Sequence, residues 1–273
     1  MKLRIATYNI HKGVSTIGSQ PRVHALKHAI HELDAELVFL QEVQGRHDRI
    51  AANFGHPQKG HQHWPEQAQH EFLAGDALHV AYGMNAVYDH GHHGNALLSR
   101  FPIATVNNRD ISDHAYEQRG ILHCILQTPF EVLHCYVVHL GLFAGSRTRQ
   151  TEALIDAVQK TAAKDEPIII AGDFNDWRNH LSDSLRNSLG VIEVFDERRA
   201  GSRMGAMWRN LAGKSGAPRF TPARTFPAAL PWLRLDRIYV RGFTVEHAEV
   251  LHGGQWAKLS DHAPIVAQLN LRT

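Results

Sequence analysis

The sequence predicts a chain of mixed α and β structure, which two sheets packed face to face with helices outside would accommodate. Three observations lead there. Segments with strand patterning outnumber those with helical period, many neighbouring strands are separated by hairpin-length connections, and apolar runs end repeatedly in a polar residue. Pattern alone supports either an α+β or an α/β arrangement.

Apolar runs, alternating or continuous, predict strands over 3–10, 36–41, 78–88, 95–99, 103–111, 118–127 and 131–140, then 167–172, 235–240, 243–251 and 264–270. A helix is expected over 21–34, with Pro21 in its first turn and Val23, Leu26, Ile30 and Leu33 along one stripe. A second, over 146–164, gathers Leu154, Ile155, Val158 and Ala162 on one face, and a third covers 178–189. Arg147 and Gln150 are expected on the surface of the second. The His/Gln-rich stretch 56–70 reads as a solvated loop running into a helix. Gly91-His92-His93-Gly94-Asn95 reads as a turn leading into the strand Ala96-Leu97-Leu98-Ser99.

Composition bounds the rest. The chain has 273 residues, 43% of them hydrophobic, enough for one large domain or two small ones. Its motifs span the whole length, so a single domain over 1–273 is expected. A net charge of +2 does not by itself mark a nucleic-acid binder. Cys124 and Cys135 fall inside predicted strands and read as buried thiols of a reducing compartment, or else as a single disulfide. The chain enters a strand at once and no apolar run reaches membrane-spanning length, so a cytoplasmic place is expected, either free or at the inner face of the membrane. Most of the 21 histidines read as surface polar residues.

One stretch stands apart. Seven basic residues and no acid lie between Arg198 and Arg224, with Met204, Met207, Trp208 and Leu211 at helical spacing. This insertion, at about 198–224, is either a loop docked on the body or a basic, apolar-faced element. In the second case its partner is an anionic membrane surface or single-stranded nucleic acid.

The chemistry lies at strand ends. Ile5-Ala6-Thr7-Tyr8-Asn9-Ile10-His11 delivers an amide, Leu37-Val38-Phe39-Leu40-Gln41-Glu42-Val43 a carboxylate, and Tyr136-Val137-Val138-His139-Leu140 an imidazole. Ile168-Ile169-Ile170-Ala171-Gly172-Asp173-Phe174-Asn175 delivers an acid and an amide, and Leu235-Asp236-Arg237-Ile238 another acid. Ser260-Asp261-His262-Ala263-Pro264 closes the series. In this order the motifs resemble the endonuclease/exonuclease/phosphatase superfamily, in particular its bacterial YbhP-type members, from about Thr7 to Pro264. The resemblance implies a four-layer α/β/β/α sandwich of two mainly antiparallel sheets (DNase I-like, class α+β) and a metal-dependent phosphoesterase.

Attack on a phosphodiester builds negative charge on oxygens, and a hard cation stabilises it best. The implied cofactor is Mg²⁺, or Mn²⁺ in its place, with Glu42 as principal ligand, Asp261 facing the metal side and Asn9 holding a metal water or a phosphate oxygen. Asp173 would orient or deprotonate water, and Asn175, two residues on along an extended backbone, would donate to phosphate. A plain Asx turn is the alternative for that Asp-Phe-Asn run. Asp236 would fix the tautomer of His262, which then serves as phosphate donor or as general base. His139 would donate to the phosphate or the leaving oxygen. Substrate contacts are expected from His93, Asn95, Arg119 and Phe226.

Two departures from the repair-type members matter. His11 stands where they carry an acid, so the site holds its ion loosely, and the DNA-intercalating loops have no counterpart. The function expected is a phosphodiesterase acting on lipid or single-stranded nucleic acid. The alternatives are a phosphomonoesterase for a soluble, inositol-phosphate-like substrate and an inactive binding module of the same fold.

Overall fold

The computed structural model describes residues 1–15, 20–56, 63–196 and 222–272. Most of the basic 198–224 segment therefore lies outside the described residues.

The first sheet holds β1 (Lys2–Asn9), β2 (Leu37–His47), β3 (His79–Tyr88), β4 (Gly91–Ser99), β11 (Phe243–Val250) and β12 (Ile265–Leu271), in the order β11-β12-β1-β2-β4-β3. The second holds β5 (Ile103–Asp110), β6 (Gly120–Gln127), β7 (Val132–His139), β8 (Ile168–Asp173), β9 (Ile192–Glu193) and β10 (Asp236–Arg241), in the order β5-β6-β7-β8-β10-β9. Among the described residues, only the β1–β2 and β7–β8 pairs are parallel; the other pairings are antiparallel.

Side chains of successive strand residues point to opposite faces, and here both faces are covered. Leu3 and Ile5 enter the core between the sheets with Ile169 and Ala171. Ala6 and Tyr8 turn outward onto α1 (Val23–Glu32), meeting Val23, Leu26 and Ile30. Ile168 and Ile170 turn the other way, onto Leu154 and Val158 of α4 (Ala144–Thr161) and Leu185 and Leu189 of α5 (Ser182–Leu189). Three apolar layers between four layers of structure give the α/β/β/α sandwich, which explains why Ile168-Ile169-Ile170 is apolar without alternation. Helices α2 (Asp48–Phe54), α3 (Gln69–Ala74) and α6 (Trp256–Leu259) are short and peripheral.

Several expectations are corrected. The segment 91–95 is strand, paired with β2 and β3, and the reversal is Asp89-His90. Gly94 marks a close approach of strands: a Cβ there would sit 1.9 Å from the Gly83 carbonyl oxygen. Pro21 pairs with Val14 in an isolated bridge ahead of α1, and β2 runs on past a bulge to His47. Arg147 and Gln150 are buried, bonding Gly141 through its carbonyl and its N–H. Among the described residues, His123, His134, His139 and His262 are buried, which leaves most of the 21 histidines unburied, as expected. Cys124 and Cys135 are both free and buried.

Gly172 fixes how β8 meets β7. It pairs with Val138, and a Cβ on it would stand 1.9 Å from the Val138 carbonyl oxygen. Gly172→Ala must push the strands apart just before Asp173. A loss of about 2–4 kcal/mol is expected in denaturant unfolding, with activity falling alongside.

Candidate active site

The candidate site lies at the end of the sandwich where β1, β7 and β8 finish and β10 begins. Asn9 closes β1, and its amide nitrogen donates to Asp173 Oδ2 at 3.2 Å and to Glu42 Oε1 at 3.4 Å. That one side chain joins the two sheets. Glu42 reaches it because the bulge in β2 puts its backbone in the left-handed region, φ 57°, out of the regular pleat. Ser260 braces the corner, donating to the Asn9 carbonyl at 2.7 Å and accepting the His262 N–H at 3.2 Å.

On the second sheet, register sets the geometry. His139 pairs with Asp173 across β7–β8, and Asp236 pairs with Asp173 across β10–β8. His139 Nε2 lies 3.6 Å from Asp173 Oδ2, and His262 Nε2 lies 3.8 Å from the same oxygen. His262 Nδ1 donates to Asp236 Oδ2 at 2.9 Å. Thr225 holds that carboxylate's backbone, its hydroxyl accepting the Asp236 N–H at 3.2 Å. The Phe226 ring stands edge-on to His262 with centroids 5.1 Å apart.

Asp173 forms the Asx turn as well as the site: its Oδ1 accepts the Asn175 N–H at 2.9 Å. This turns Asn175 into the left-handed region, φ 51°, so the extended backbone expected there does not occur. Its amide nitrogen donates to the Leu140 carbonyl at 2.9 Å, which leaves a second N–H on the same nitrogen.

The environment separates the titrating groups. Burial pushes the Asp173 carboxyl up to about 6, still ionised at neutral pH, with His262 opposing the rise. Burial alone would favour neutral His262, but the Asp236 and Asp173 carboxylates outweigh it and carry it to about 10. His139 is held neutral by burial and by the Arg119 charge. Carboxylate, imidazolium and neutral imidazole therefore meet at one oxygen.

The expected substrate residues divide. His93 is largely buried beside Glu42 and Lys12, and burial lowers it to about 4. Asn95 lies deeper, between the sheets, donating to the Gly120 carbonyl at 2.9 Å and the Val137 carbonyl at 3.3 Å. Arg119 is neither solvated nor free to extend. It donates to the Leu140 and Gln118 carbonyls and pairs with Glu117 at 3.3 Å. The roles of Thr225 and Ser260 carry no sequence signal because both touch backbone; Lys12, 3.8 Å from Glu42, precedes no strand motif.

Among the described residues, Asp173, Asp236 and His262 form a group whose potential ligand atoms lie within 4.8 Å of one another. Donor chemistry points Mg²⁺ elsewhere. The His262 nitrogen is committed to Asp236, its imidazolium repels a cation, and burial excludes the waters Mg²⁺ retains. Glu42 is an oxygen donor with its side chain 19% exposed, which suits one carboxylate plus waters. Asp261 is shared: its Oδ1 lies 3.3 Å from His11 Nδ1, and that hydrogen bond raises the His11 pKa.

Comparison with known proteins bears on the family and the fold. A model described as the Endonuclease/Exonuclease/phosphatase family matches residues 6–262. The uncharacterised protein YbhP of Escherichia coli (strain K12) is 39% identical over 272 residues, covering 98% of this chain and 96% of YbhP. An endonuclease/exonuclease/phosphatase from Beutenbergia cavernae DSM 12333 superposes with TM-score 0.70 at 19% identity, over 99% of this chain and 72% of that one. D. rerio TDP2, solved with a single strand DNA product, gives 0.64 at 20% identity, over 98% and 99%. At such identities the two structures establish the shared fold alone.

Proposed function

The chain belongs to the endonuclease/exonuclease/phosphatase family, whose members hydrolyse phosphoester bonds, and from that premise we propose that it is a Mg²⁺-dependent phosphodiesterase, with Mn²⁺ able to substitute. The observation that carries this reading is the convergence of Asn9, His139 and His262 on Asp173 Oδ2, at 3.2, 3.6 and 3.8 Å.

Asp173 is the acceptor in that cluster, and as a carboxylate it takes a proton from the attacking water. The two imidazoles stand at distances longer than closed hydrogen bonds, so each can turn an N–H to a phosphate oxygen. His262, kept protonated, suits the oxygen on which charge builds; it has no lone pair with which to act as base. Asp236 orients it. His139, neutral, donates without adding charge. One such donor aimed at a developing oxyanion is worth about 10²–10³ in rate. Glu42, with Asn9 and Asp261 beside it, would hold Mg²⁺, which when bound neutralises charge on the phosphate oxygens. Water adds to phosphorus, one P–O ester bond breaks, and the alcohol leaves with a proton.

A diester fits better than a monoester. A dianionic monoester calls for several cations, whereas Arg119 is tied to carbonyls and Glu117. Side by side with Mg²⁺, bis-p-nitrophenyl phosphate is expected to turn over at least about tenfold faster than p-nitrophenyl phosphate; the reverse preference would overturn the diester assignment.

His11 is the adjustable position. Its backbone is left-handed, φ 45°, which Asp tolerates, and it already faces Asp261. His11→Asp adds a hard oxygen ligand in place of an imidazole. The Mg²⁺ concentration for half-maximal activity is expected to fall by about tenfold, read by metal titration of the diesterase.

A further inference from the structure

Among the described residues, six of the eleven large apolar side chains left exposed lie at one edge; the other five, Met84, Val87, Val106, Phe130 and Val132, stand on β3, β5, β7 and the β6–β7 turn. Tyr116, Leu142, Phe143, Trp177, Leu230 and Trp232 stand on four connections: the one into β6, those out of β7 and β8, and the one into β10. These connections share an edge because Ile121 pairs with Val138 and Asp236 with Asp173. It is the edge that carries His139, Asp173 and Asp236. Among the described residues, Phe130 is the one large exposed aromatic found elsewhere.

The exposure is considerable: Tyr116 is 100% accessible, Leu230 78%, Phe143 65% and Trp232 61%. Scattered apolar residues need no explanation, but a cluster of this kind beside a reactive mouth does. The connections are braced outward. The Leu142 N–H donates to Glu117 at 2.8 Å, the Trp232 N–H donates to the Phe226 carbonyl at 2.9 Å, and Arg147 lies 5.0 Å over the Trp177 ring.

Charge follows the same edge. Residues 111–119, 140–149, 174–180 and 222–235 contain six arginines and three acids. Each acid is satisfied within the fold: Asp113 by Arg149, Glu117 by Arg119, and Asp176 by the Leu181 N–H. Arg178 and Arg224 are exposed. Aromatic rings, aliphatic tips and unneutralised guanidinium groups are what the interfacial zone of an anionic bilayer accepts. A single-stranded nucleic acid would use the rings and cations too, but Leu142 and Leu230 offer no face for a base to stack on. Across the mouth, the first sheet shows Tyr88 against His90 with centroids 4.6 Å apart, next to the exposed Val87.

We propose that this apolar, arginine-bearing rim seats the protein on an anionic phospholipid bilayer, and that the diester it hydrolyses is the phosphodiester of a membrane phospholipid. The hydrolytic half rests on the phosphodiesterase reading above. Water adds to the lipid phosphorus, one P–O ester bond breaks, and an alcohol and a phosphomonoester result.

The test uses the full chain and the double variant Leu230→Ser/Trp232→Ser. Sedimentation with vesicles of phosphatidylglycerol and phosphatidylethanolamine is measured against vesicles of phosphatidylcholine alone. Wild type is expected to bind and hydrolyse the anionic vesicles. The double variant is expected to lose both by about tenfold or more, while its turnover of bis-p-nitrophenyl phosphate stays unchanged. Equal vesicle binding by the two proteins would overturn the proposal. So would a single-stranded oligonucleotide that is cleaved in place of lipid and weakened by the same substitutions. Binding is read separately from turnover, so a wild type that binds vesicles but cleaves neither substrate would sink the hydrolytic reading and leave the rim standing.

Discussion

Asp173→Asn is expected to lower diester hydrolysis by about 10³-fold while leaving the folded protein at least as stable as wild type. The two effects have one cause. Asp173 is buried, and burial raises its carboxyl to about 6. A carboxyl raised on folding gives its full stability below the unfolded value, near 3.8, and loses it as pH rises through about 6. In EDTA, the amide should therefore melt higher than wild type near about pH 8, by about 2 kcal/mol, and show no advantage near about pH 4. The amide still accepts the Asn175 N–H, so the Asx turn survives. An inactive variant that is also unstable at high pH would contradict a carboxylate kept there for chemistry.

Asp236→Asn is expected to cost nearly as much, about 10²–10⁴ in kcat, with little change in KM. The 2.9 Å contact from His262 Nδ1 requires an acceptor, and a carboxylate presents nothing else. An amide can present its NH₂ group, which selects the other tautomer and withdraws the charge that holds His262 as imidazolium. The backbone bond from the Asp236 N–H to Thr225 is untouched. Circular dichroism should therefore be unchanged while turnover collapses; a loss of both together would make Asp236 a packing residue.

Much of this arrangement was legible because strand ends announce themselves. An apolar run such as Ile168-Ile169-Ile170-Ala171-Gly172 needs cover on both faces, and the polar residue after it must emerge at an edge. Asn9, His139, Asp173, Asp236 and His262 are found at that edge, whereas Glu42 lies inside β2 and reaches it through the bulge. What was not legible depends on register and close approach. Gly94 looks like a turn former until Gly83 is seen against it. Arg147 and Gln150 look like helix surface, because nothing in a single helix says that its first turns cap the Gly141 backbone. Asn175 left the extended region because its neighbour's carboxylate captured its N–H, a competition between side chain and strand that spacing alone does not resolve. Apart from the apolar turn Pro227-Ala228-Ala229-Leu230-Pro231-Trp232-Leu233, the exposed rim was invisible for a similar reason. Tyr116, Phe143, Trp177 and Trp232 lie far apart in sequence and share an edge only after the strands pair.

The central claim is that a carboxylate-bound divalent cation and the Asp173 cluster together hydrolyse a phosphodiester. The most direct measurement is the turnover of bis-p-nitrophenyl phosphate by wild type and Glu42→Gln, each with Mg²⁺, with Mn²⁺ and with EDTA. Wild type should be active with either ion and silent in EDTA, and Glu42→Gln should lose at least about 10²-fold with Mg²⁺. Turnover that survives EDTA, or that is the same in Glu42→Gln as in wild type, would contradict the account.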